Sequence, residues 1–399
     1  MAAALPQLAP VHSHLYRTPV FGAEFDLLLA CVHSFDKQIR DAIEQAITRN
    51  VNWDLFAHMA GHHGVLPSVF QQLLAHSTDV PKSALESFKR LHQINSRKTL
   101  WLTSELLRVA EQFEQHGINF LAYKGPTLGQ FLYGDVTERQ FGDLDLLVHP
   151  SDVARAISLV RELGYRSNLA LNPAQAKAYL SIGYEYSFDS DFGRNLLEIK
   201  WQVLPCFYAI DFDVDKLFLR ATSIKISEQE IPTLGPEDLL LVLCVHAAKH
   251  GWEKLSWLWD MAALTQRVSP DWDAIQQQAR KLGIERILAI NFLLANKFLK
   301  APVPGTMLPY IEKDKKTDLF AGKIAPMMVT CKNCDVASKS YFREFAGLRE
   351  RAQNRWKFWW RLLTTPNISE WKTAKLANPR SPIYHGIRFY RLATKLIRN

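Results

Sequence analysis

The segment from Ile118 to Val148 restricts the fold more than any other part of the sequence. It begins with a short apolar run that predicts a β-strand, and it continues through Lys124, Gly125 and Pro126 into a short predicted helix. A second apolar run follows and predicts another strand. Strands that alternate with helices are typical of an α/β core, so we expect a β-sheet at the centre of the chain.

Two aspartates lie on the second predicted strand, Phe141–Val148. Asp143 and Asp145 are two residues apart, so both carboxylates are expected on one face of the sheet, while Leu144 and Leu146 point to the buried face. Neighbouring carboxylates repel each other unless water or cations separate them. A pair of Mg²⁺ ions needs such ligands and can activate a hydroxyl while it stabilises a leaving phosphate. An edge strand that shows two acids to water is the alternative for this motif alone.

The order of strand, Lys-Gly, helix, Arg and hydrophobic Asp-x-Asp resembles the polymerase-β-like nucleotidyltransferase superfamily. More narrowly, it resembles a bacterial family described as uncharacterised nucleotidyltransferases. The matching residues are Lys124, Gly125, Tyr133, Arg139, Asp143, Asp145 and Leu146 to Val148. The resemblance extends over roughly residues 25–300. It implies a metal-dependent enzyme that transfers a nucleoside monophosphate (NMP) from a nucleoside triphosphate (NTP) to an acceptor and releases pyrophosphate, with Mg²⁺ or Mn²⁺ as cofactor.

The expected fold class is α+β, with a small mixed β-sheet nucleotidyltransferase core flanked by N- and C-terminal helical regions. Helical spacing runs from about Glu24 to Gln115 and resumes after Pro232 and Pro236. A Pro/Gly/Lys-rich stretch after residue 300 predicts a linker. The expected parts are an N-terminal helical region at 1–116, the core at 117–230, a helical subdomain beside the cleft at 231–300, and a linker with a basic, aromatic-rich tail at 301–399.

The resemblance also implies which acids are catalytic. Asp143 and Asp145 would bind metal together with a third carboxylate on a later strand, for which Glu198 is the candidate. Glu198 would also help to deprotonate the acceptor hydroxyl, unless it is only a solvated residue on an edge strand. Lys200 stands where the family more often has His. Two alternative third acids, in a predicted turn, are Asp189 and Asp191.

Phosphate contact is expected from the turn between the first strand and the helix. Gly125 is followed by Pro126 instead of the superfamily's Ser, so that hydroxyl is missing. Lys124 as a point charge, or Arg139 as a fork, would replace it. Alternatively, Lys124 is a surface lysine and Arg139 holds one of the two aspartates. Further nucleotide-binding candidates, which are otherwise packing or capping residues of the later helices, are His250, Lys254 and Asp260.

Two other motifs predict less chemistry. His246 and His250 share a helix face, but the Glu of the zinc-protease pattern is absent between them. Cys331 and Cys334 form a single pair, whereas a structural zinc ion needs four ligands. We therefore expect neither pair to bind zinc.

The net charge of +8 is concentrated at the C-terminus. Residues 343–399 contain 13 Lys and Arg but only 3 Asp and Glu, and aromatic residues are interleaved with the cations from Arg355 to Arg361. Such a tail can contact an anionic membrane surface, or pack its tryptophans on the body while its arginines face water. Nucleic acid is the weaker possibility. The alternative function is therefore a catalytically inactive scaffold that binds a partner or a membrane surface through the tail.

Several classes of protein are not expected. The apolar runs are far shorter than the ~20 residues of a membrane span, the first residues lack the basic start of a secretory signal, and five cysteines do not suggest a disulfide framework. We expect a cytoplasmic protein that is peripheral to the membrane at most. The substrates would be an NTP, with ATP among the candidates, and an acceptor that is a sugar phosphate, a modified peptide, a lipid-linked glycan or another protein.

Overall fold

The computed structural model describes most of the 399 residues. Within this part of the chain, helices outnumber strands, and the strands are confined to residues 120–233. The described residues are 22–32, 41, 44–45, 47–167, 169, 171–191, 193–331, 334–336, 338–365, 383–384, 386–388 and 390.

Helices before the sheet form the wall that later faces the candidate site. Asn52 begins the second of them, where its side-chain oxygen accepts a hydrogen bond from the Leu55 amide at 3.0 Å, and Gly64 ends it in the left-handed conformation. The fourth is 34 residues long and buries one face against the rest of the molecule. These helices are α1 Ala23–Val32, α2 Trp53–His63, α3 Leu66–Ala75 and α4 Lys82–Gln115.

A five-stranded mixed sheet forms the centre of the molecule, with strand order β1-β2-β5-β4-β3. Strand β2 pairs antiparallel with β1 and parallel with β5, and the other pairs are antiparallel. The α+β class expected from the sequence is confirmed. The elements in this region are β1 Phe120–Ala122, α5 Gly125–Tyr133, β2 Leu144–Val148, α6 Val153–Glu162, β3 Arg166–Ser167, α7 Pro173–Ile182, β4 Glu185–Ser190 and β5 Gly193–Lys200.

The second predicted strand is shorter than the sequence indicated. Strand β2 begins at Leu144, so Asp143 lies in the extended segment before it, and the prediction that both aspartates are on the strand is wrong for Asp143. All five residues of β2 are buried. Helices cover one face of the strand, and the walls of the cavity described below cover the other. Strand β5 ends at Lys200.

A hairpin and further helices follow the sheet. The expected boundary between residues 230 and 231 falls inside the hairpin strand Gln229–Thr233. In the described part of the chain, no helix combines the length and the apolar character that a membrane crossing requires. The elements are α8 Val214–Leu219, β6 Thr222–Ile226, β7 Gln229–Thr233, α9 Pro236–Lys249, α10 Leu255–Arg267, α11 Trp272–Leu282, α12 Glu285–Leu299, α13 Leu308–Lys313, α14 Lys315–Val329, α15 Lys339–Leu348 and α16 Ala352–Thr364.

The Pro/Gly/Lys-rich stretch from residue 301 to 316 is not an extended linker, contrary to the expectation. It contains a 3₁₀ turn and helix α13, and Val303, Met307 and Ile311 are buried in the same hydrophobic core as α9 to α12. These apolar side chains, spaced among the prolines and lysines, bind the segment to the body.

The described part of the tail does not show the packing that was one alternative from the sequence, in which tryptophans pack on the body and arginines face water. On α16, Phe358 and Leu362 are buried, whereas Trp356 and Trp360 are 65% and 54% exposed. Arg349 is fully buried and donates hydrogen bonds to the carbonyl oxygens of Ala209 and Leu282 at 3.0 and 2.8 Å. Tryptophans therefore face water and an arginine packs inside. Trp371 and most residues beyond 365 lie outside the described residues.

Truncation of Met307 tests whether residues 301–316 belong to the core. Since its side chain is 3% exposed, we expect Met307→Ala to lower the free energy of unfolding by about 2–5 kcal/mol. The control is Met327→Ala, since Met327 is 44% exposed on α14; its effect should stay within about 0.5 kcal/mol. Urea unfolding measures both, and equal stabilities for the two variants would contradict the packing described.

Candidate active site

A cavity of about 1030 Å³ opens over one face of the sheet. Its other walls come from α2 and α4 on one side and from α9 and α10 on the other. Eight of the nine residues singled out from the sequence line it, and Asp260 is the exception. The eight are Lys124, Gly125, Arg139, Asp143, Asp145, Glu198, His250 and Lys254.

The turn between β1 and α5 requires glycine. Gly125 has φ = +57°, and a Cβ atom there would lie 3.2 Å from the backbone oxygen of Asp143. The Thr127 hydroxyl lies 2.8 Å from the carbonyl oxygens of both Ala122 and Lys124, to which it can donate. The first turn of α5 is therefore held close against the segment that carries Asp143.

Sheet register brings the other acids together. Asp145 on β2 is the direct partner of Glu198 on β5, and Lys200 on β5 is the direct partner of Glu185 on β4. Glu198 and Lys200 are two residues apart and share a face. Three carboxylates and one ammonium group thus meet across three adjacent strands.

Lys200 binds all three of these carboxylates. Its Nζ lies 3.0 Å from Asp145 Oδ1, 2.8 Å from Glu185 Oε2 and 2.6 Å from Glu198 Oε2. A lysine ammonium has three donors, so all of them are used. Its nitrogen also lies 5.7 Å from the centre of the Tyr184 ring. The sequence marked Lys200 only as a departure from the family's more frequent His, yet it is at the centre of the cluster.

Burial and ion pairing shift the pKa values of these groups in different directions. Burial alone would raise the pKa of Asp145, but Lys124 and Lys200 hold it below its ordinary value. Burial would likewise lower the pKa of Lys200, but its carboxylate partners raise it well above the usual range. Burial, together with repulsion from Asp145 and Glu185, raises the pKa of Glu198 to about 7 although Lys200 acts against this. Asp145 is the best-stabilised anion of the set.

Asp143 is the acid without a counter-ion. No hydrogen bond or ion pair joins its side chain to another described residue, and burial, followed by repulsion from Asp145, raises its pKa. A carboxylate in this position fits a hard divalent cation, because the ion would supply the missing positive charge. Among the described residues, three or more His, Cys, Asp or Glu side chains are nowhere arranged as a ready-made metal site.

Lys124 connects the acids to helix α9. Its Nζ lies 3.3 Å from Asp145 Oδ2 and 3.2 Å from His246 Nδ1. Burial, followed by the charge of Lys124, lowers the pKa of His246 well below its ordinary value, so the ring is neutral and accepts the hydrogen bond. The His246 and His250 rings lie 4.7 Å apart.

The wall opposite the acids carries basic and aromatic side chains. Burial, followed by Lys249 and other lysines, lowers the pKa of His250 to about 3. Lys254 lies 5.7 Å from the Trp257 ring, and Lys249 lies 5.3 Å from the Tyr184 ring. Burial, followed by Lys200, lowers the pKa of Lys249 to about 8. This wall suits a polyanion that enters beside the carboxylates.

Sequence reasoning missed several residues of the cavity. Two of them had a detectable signal: Glu185 stands across from Lys200 once the β4–β5 hairpin is drawn in register, and His246 shares a helix face with His250. The others come from helices far apart in sequence. The missed residues are His58, His62, Lys98, Glu185, His246 and Lys249.

Arg139 and Asp260 form a buried ion pair beneath the cavity wall. The guanidinium lies 3.0–3.2 Å from the Asp260 carboxylate through two nitrogens, and the Tyr133 hydroxyl donates to the same carboxylate at 2.8 Å. Arg139 therefore pairs with Asp260 and with neither catalytic candidate. Both members of the pair were predicted near the nucleotide, whereas this geometry ties α5 and the segment before β2 to α10.

Comparison with known proteins gives one family and several distant structural likenesses. A model of the family described as uncharacterised nucleotidyltransferase matches residues 49–300, more than half of the chain. The lincosamide antibiotic adenylyltransferase LnuA, in a crystal structure with lincomycin bound, has 16% sequence identity and a TM-score of 0.31, with coverage of 41% of this chain and 97% of that one. An antigenic nucleotidyltransferase-like protein from Paracoccidioides brasiliensis has 14% identity and a TM-score of 0.31, with coverage of 52% and 96%. No curated protein matches the chain.

Replacement of Arg139 separates a structural from a phosphate-binding role. Arg139→Met leaves the buried Asp260 carboxylate without its ion partner, so we expect the free energy of unfolding to fall by about 3–5 kcal/mol. Arg139→Met/Asp260→Leu should recover most of this loss. The control is Arg49→Met, which breaks an exposed pair with Asp26 and should cost about 1 kcal/mol or less. Unchanged stability with weaker NTP binding would instead support direct phosphate contact.

Proposed function

Because this chain belongs to the uncharacterised nucleotidyltransferase family, we propose that it transfers an NMP from an NTP to an acceptor and releases pyrophosphate. One observation carries the proposal. Asp143 and Asp145 lie beside the Gly125 turn at the floor of a cavity whose opposite wall is basic. Acids next to a phosphate-sized turn, with cations facing them, are what transfer of a phosphoryl-type group requires.

The triphosphate would lie between the turn and the basic wall. Lys124 and Gly125 stand at the N-terminus of α5, where the helix dipole favours negative charge. Lys254 and His250 are proposed to contact the nucleotide from the side of α9 and α10. Arg139 and Asp260 take no direct part in this arrangement, since each satisfies the other. They would support the wall to which the nucleotide binds.

Asp143 and Asp145 are the proposed ligands of Mg²⁺ or Mn²⁺. A bound divalent ion would offset phosphate charge and lower the pKa of an acceptor hydroxyl. Asp143 fits this role because its partly buried carboxylate lacks a cationic partner among the described residues. Glu198 is the proposed base for the acceptor hydroxyl, since a pKa of about 7 lets it take up a proton near neutral pH.

Most of the rate would come from positioning. The chain's own residues would hold the triphosphate against the turn and keep water away from it, because the floor of the cavity is buried. The acceptor would enter through the open side of the cavity. A sugar phosphate, a modified peptide, a lipid-linked glycan and a protein remain the proposed acceptor classes, and ATP is one of the proposed donors.

Substitution of the two aspartates tests the proposed activity. We expect Asp143→Asn and Asp145→Asn each to lower NMP transfer by about a hundredfold or more, because charge stabilisation at the reacting phosphate is lost. The measurement is incubation with each of the four α-labelled NTPs and host extract, followed by identification of the labelled molecule. The control is Asp191→Asn, because Asp191, an alternative third acid from the sequence, does not line the cavity, is 75% exposed and pairs with Arg166 on the surface.

Two results would reject this function. Equal labelling by wild type and Asp145→Asn would exclude catalysis at these acids. If nothing is labelled and titration calorimetry detects no metal-dependent binding of any NTP, the chain is the inactive scaffold instead. The Asp191→Asn control distinguishes a loss at the site from a general effect of removing an acid.

One surface observation favours a second role, contact with an anionic membrane surface. Trp356 and Trp360 on α16 stack with their ring centres 5.3 Å apart, and both are exposed. Trp359 and Leu363 are also exposed, at 39% and 38%. Exposed tryptophans on a strongly basic tail are typical of helices that lie at the headgroup level of a bilayer, and the positive charge favours anionic lipid.

Vesicle sedimentation tests the membrane contact. We expect wild type to sediment with vesicles that contain phosphatidylserine, and Trp356→Ser/Trp360→Ser to bind at least about tenfold less because apolar area at the interface is lost. Leu74→Ser/Leu219→Ser is the control, since both leucines are exposed elsewhere, at 50% and 83%. Equal binding by the two double variants would contradict the proposal. So would wild type that binds only to phosphatidylcholine vesicles.

A further inference from the structure

The position of Lys200 bears on how many metal ions the site can hold. We propose that the Lys200 ammonium group takes the place of one of the two divalent cations that the fold family implies, so that this site binds a single ion, at Asp143 and Asp145. The inference rests on the proposed function for the meaning of the site. Its evidence is independent, because it consists of the contacts that Lys200 makes.

The three contacts have ammonium geometry. The distances from Nζ to the carboxylate oxygens, 2.6, 2.8 and 3.0 Å, are centred on the range of about 2.7–2.9 Å for charge-assisted N–H···O bonds, whereas Mg²⁺ holds its ligands at about 2.0–2.1 Å. The nitrogen stands between Asp145, Glu185 and Glu198, where a bridging cation would stand. These carboxylates already share one positive charge, so a second metal ion at this point would collide with the nitrogen.

Lys200 is held in this position by the sheet. Its backbone pairs with Leu147 on one side and Glu185 on the other. Its side chain is 5% exposed. The ammonium group could move to another described part of the protein only by losing all three partners. A buried ammonium without partners is costly. Lys200 is therefore a fixed component of the site rather than a mobile side chain.

Charge balance also indicates one ion. Four carboxylates surround the cavity floor, at Asp143, Asp145, Glu185 and Glu198. With all four ionised, the direct contacts of Lys124 and Lys200 leave a net charge of −2. One divalent cation neutralises that charge, whereas two would leave an excess of positive charge before the triphosphate binds. Lys249 makes no ion pair with a described carboxylate and faces the Tyr184 ring.

The remaining place for an ion is beside Asp143. Asp145 faces Lys200 and Lys124 through both of its oxygens, while Asp143 has no such partner among the described residues. A single ion would give Asp143 a cationic partner, and it would bind Asp145 together with the two lysines. Glu185 and Glu198 would then hold Lys200 instead of a metal ion.

Counting bound Mn²⁺ tests this assignment without nucleotide, acceptor or turnover. The probe is Mn²⁺ titrated into the full chain, with free Mn²⁺ measured by electron paramagnetic resonance. We expect one ion per wild-type chain and one additional ion in Lys200→Ser, because the shorter side chain frees the three carboxylates. Two ions on wild type, or the same number on wild type and Lys200→Ser, would overturn the inference.

Two further variants keep the test decisive. Lys200→Ser leaves three acids without their cation, so it is paired with Lys200→Ser/Glu185→Gln, which keeps the net charge and should also gain one ion through Asp145 and Glu198. Lys249→Ser is the matched control, because it removes a lysine of the same cavity that lies 5.3 Å from the Tyr184 ring and makes no ion pair with the three carboxylates. It should gain none, and an extra ion there would overturn the inference by showing a general charge effect.

The same counts separate this inference from the proposed function. If wild type binds no Mn²⁺ but Lys200→Ser binds one ion, Lys200 does occupy a cation position, while the proposed metal role of Asp143 and Asp145 fails. If wild type binds one ion that Asp143→Asn loses, and Lys200→Ser gains none, the proposed metal site stands and the inference about Lys200 fails.

Discussion

The parallel pairing of β2 with β5 is the constraint on which the rest of the site depends. It sets Asp145, which is 4% exposed, beside Glu198, and like charges so close in a medium of low polarity are tolerated only with cations between them. Lys200 meets this need from the same strand as Glu198, and Glu185 completes its three hydrogen bonds. The neutral His246 and the lysines of the opposite wall are arranged around that charge balance.

The helices act as a rigid frame around this cluster. Tyr133 and Arg139, on either side of the 3₁₀ turn Val136–Glu138, bind one buried carboxylate on α10, so the segment that leads into β2 is fixed at both ends. Gly125 presses the start of α5 against the backbone of Asp143 at the other side. The sheet therefore forms the floor of the cavity, and the helices fix the position of that floor. Neither part forms the site alone.

Part of the candidate site could be located from the sequence because its residues are local. Lys124, Gly125, Asp143 and Asp145 fall within one supersecondary unit, where spacing decides which side chains meet. Glu185 and Lys200 could not be paired in advance, since hairpin register and a parallel neighbour decide their contact. The same reason explains the error over residues 301–316, where buried Met307 is hidden among turn-forming residues, and it explains why the pairing of Arg139 with Asp260, 121 residues away, was not foreseen. Long-range packing, which no local pattern encodes, decides such cases.

The buried guanidinium of Arg349 has a consequence for the order in which the chain matures. It caps the carbonyl oxygens of Ala209 and Leu282, which precede it by 140 and 67 residues. At a synthesis rate of roughly 5–20 residues per second, the donor residue is made several seconds after these two oxygens. The core can collapse earlier, but these two carbonyl oxygens gain their donor only after Arg349 leaves the ribosome. The tail therefore completes the fold late in translation, and a nascent chain stalled before residue 349 remains unfinished however well its sheet has formed.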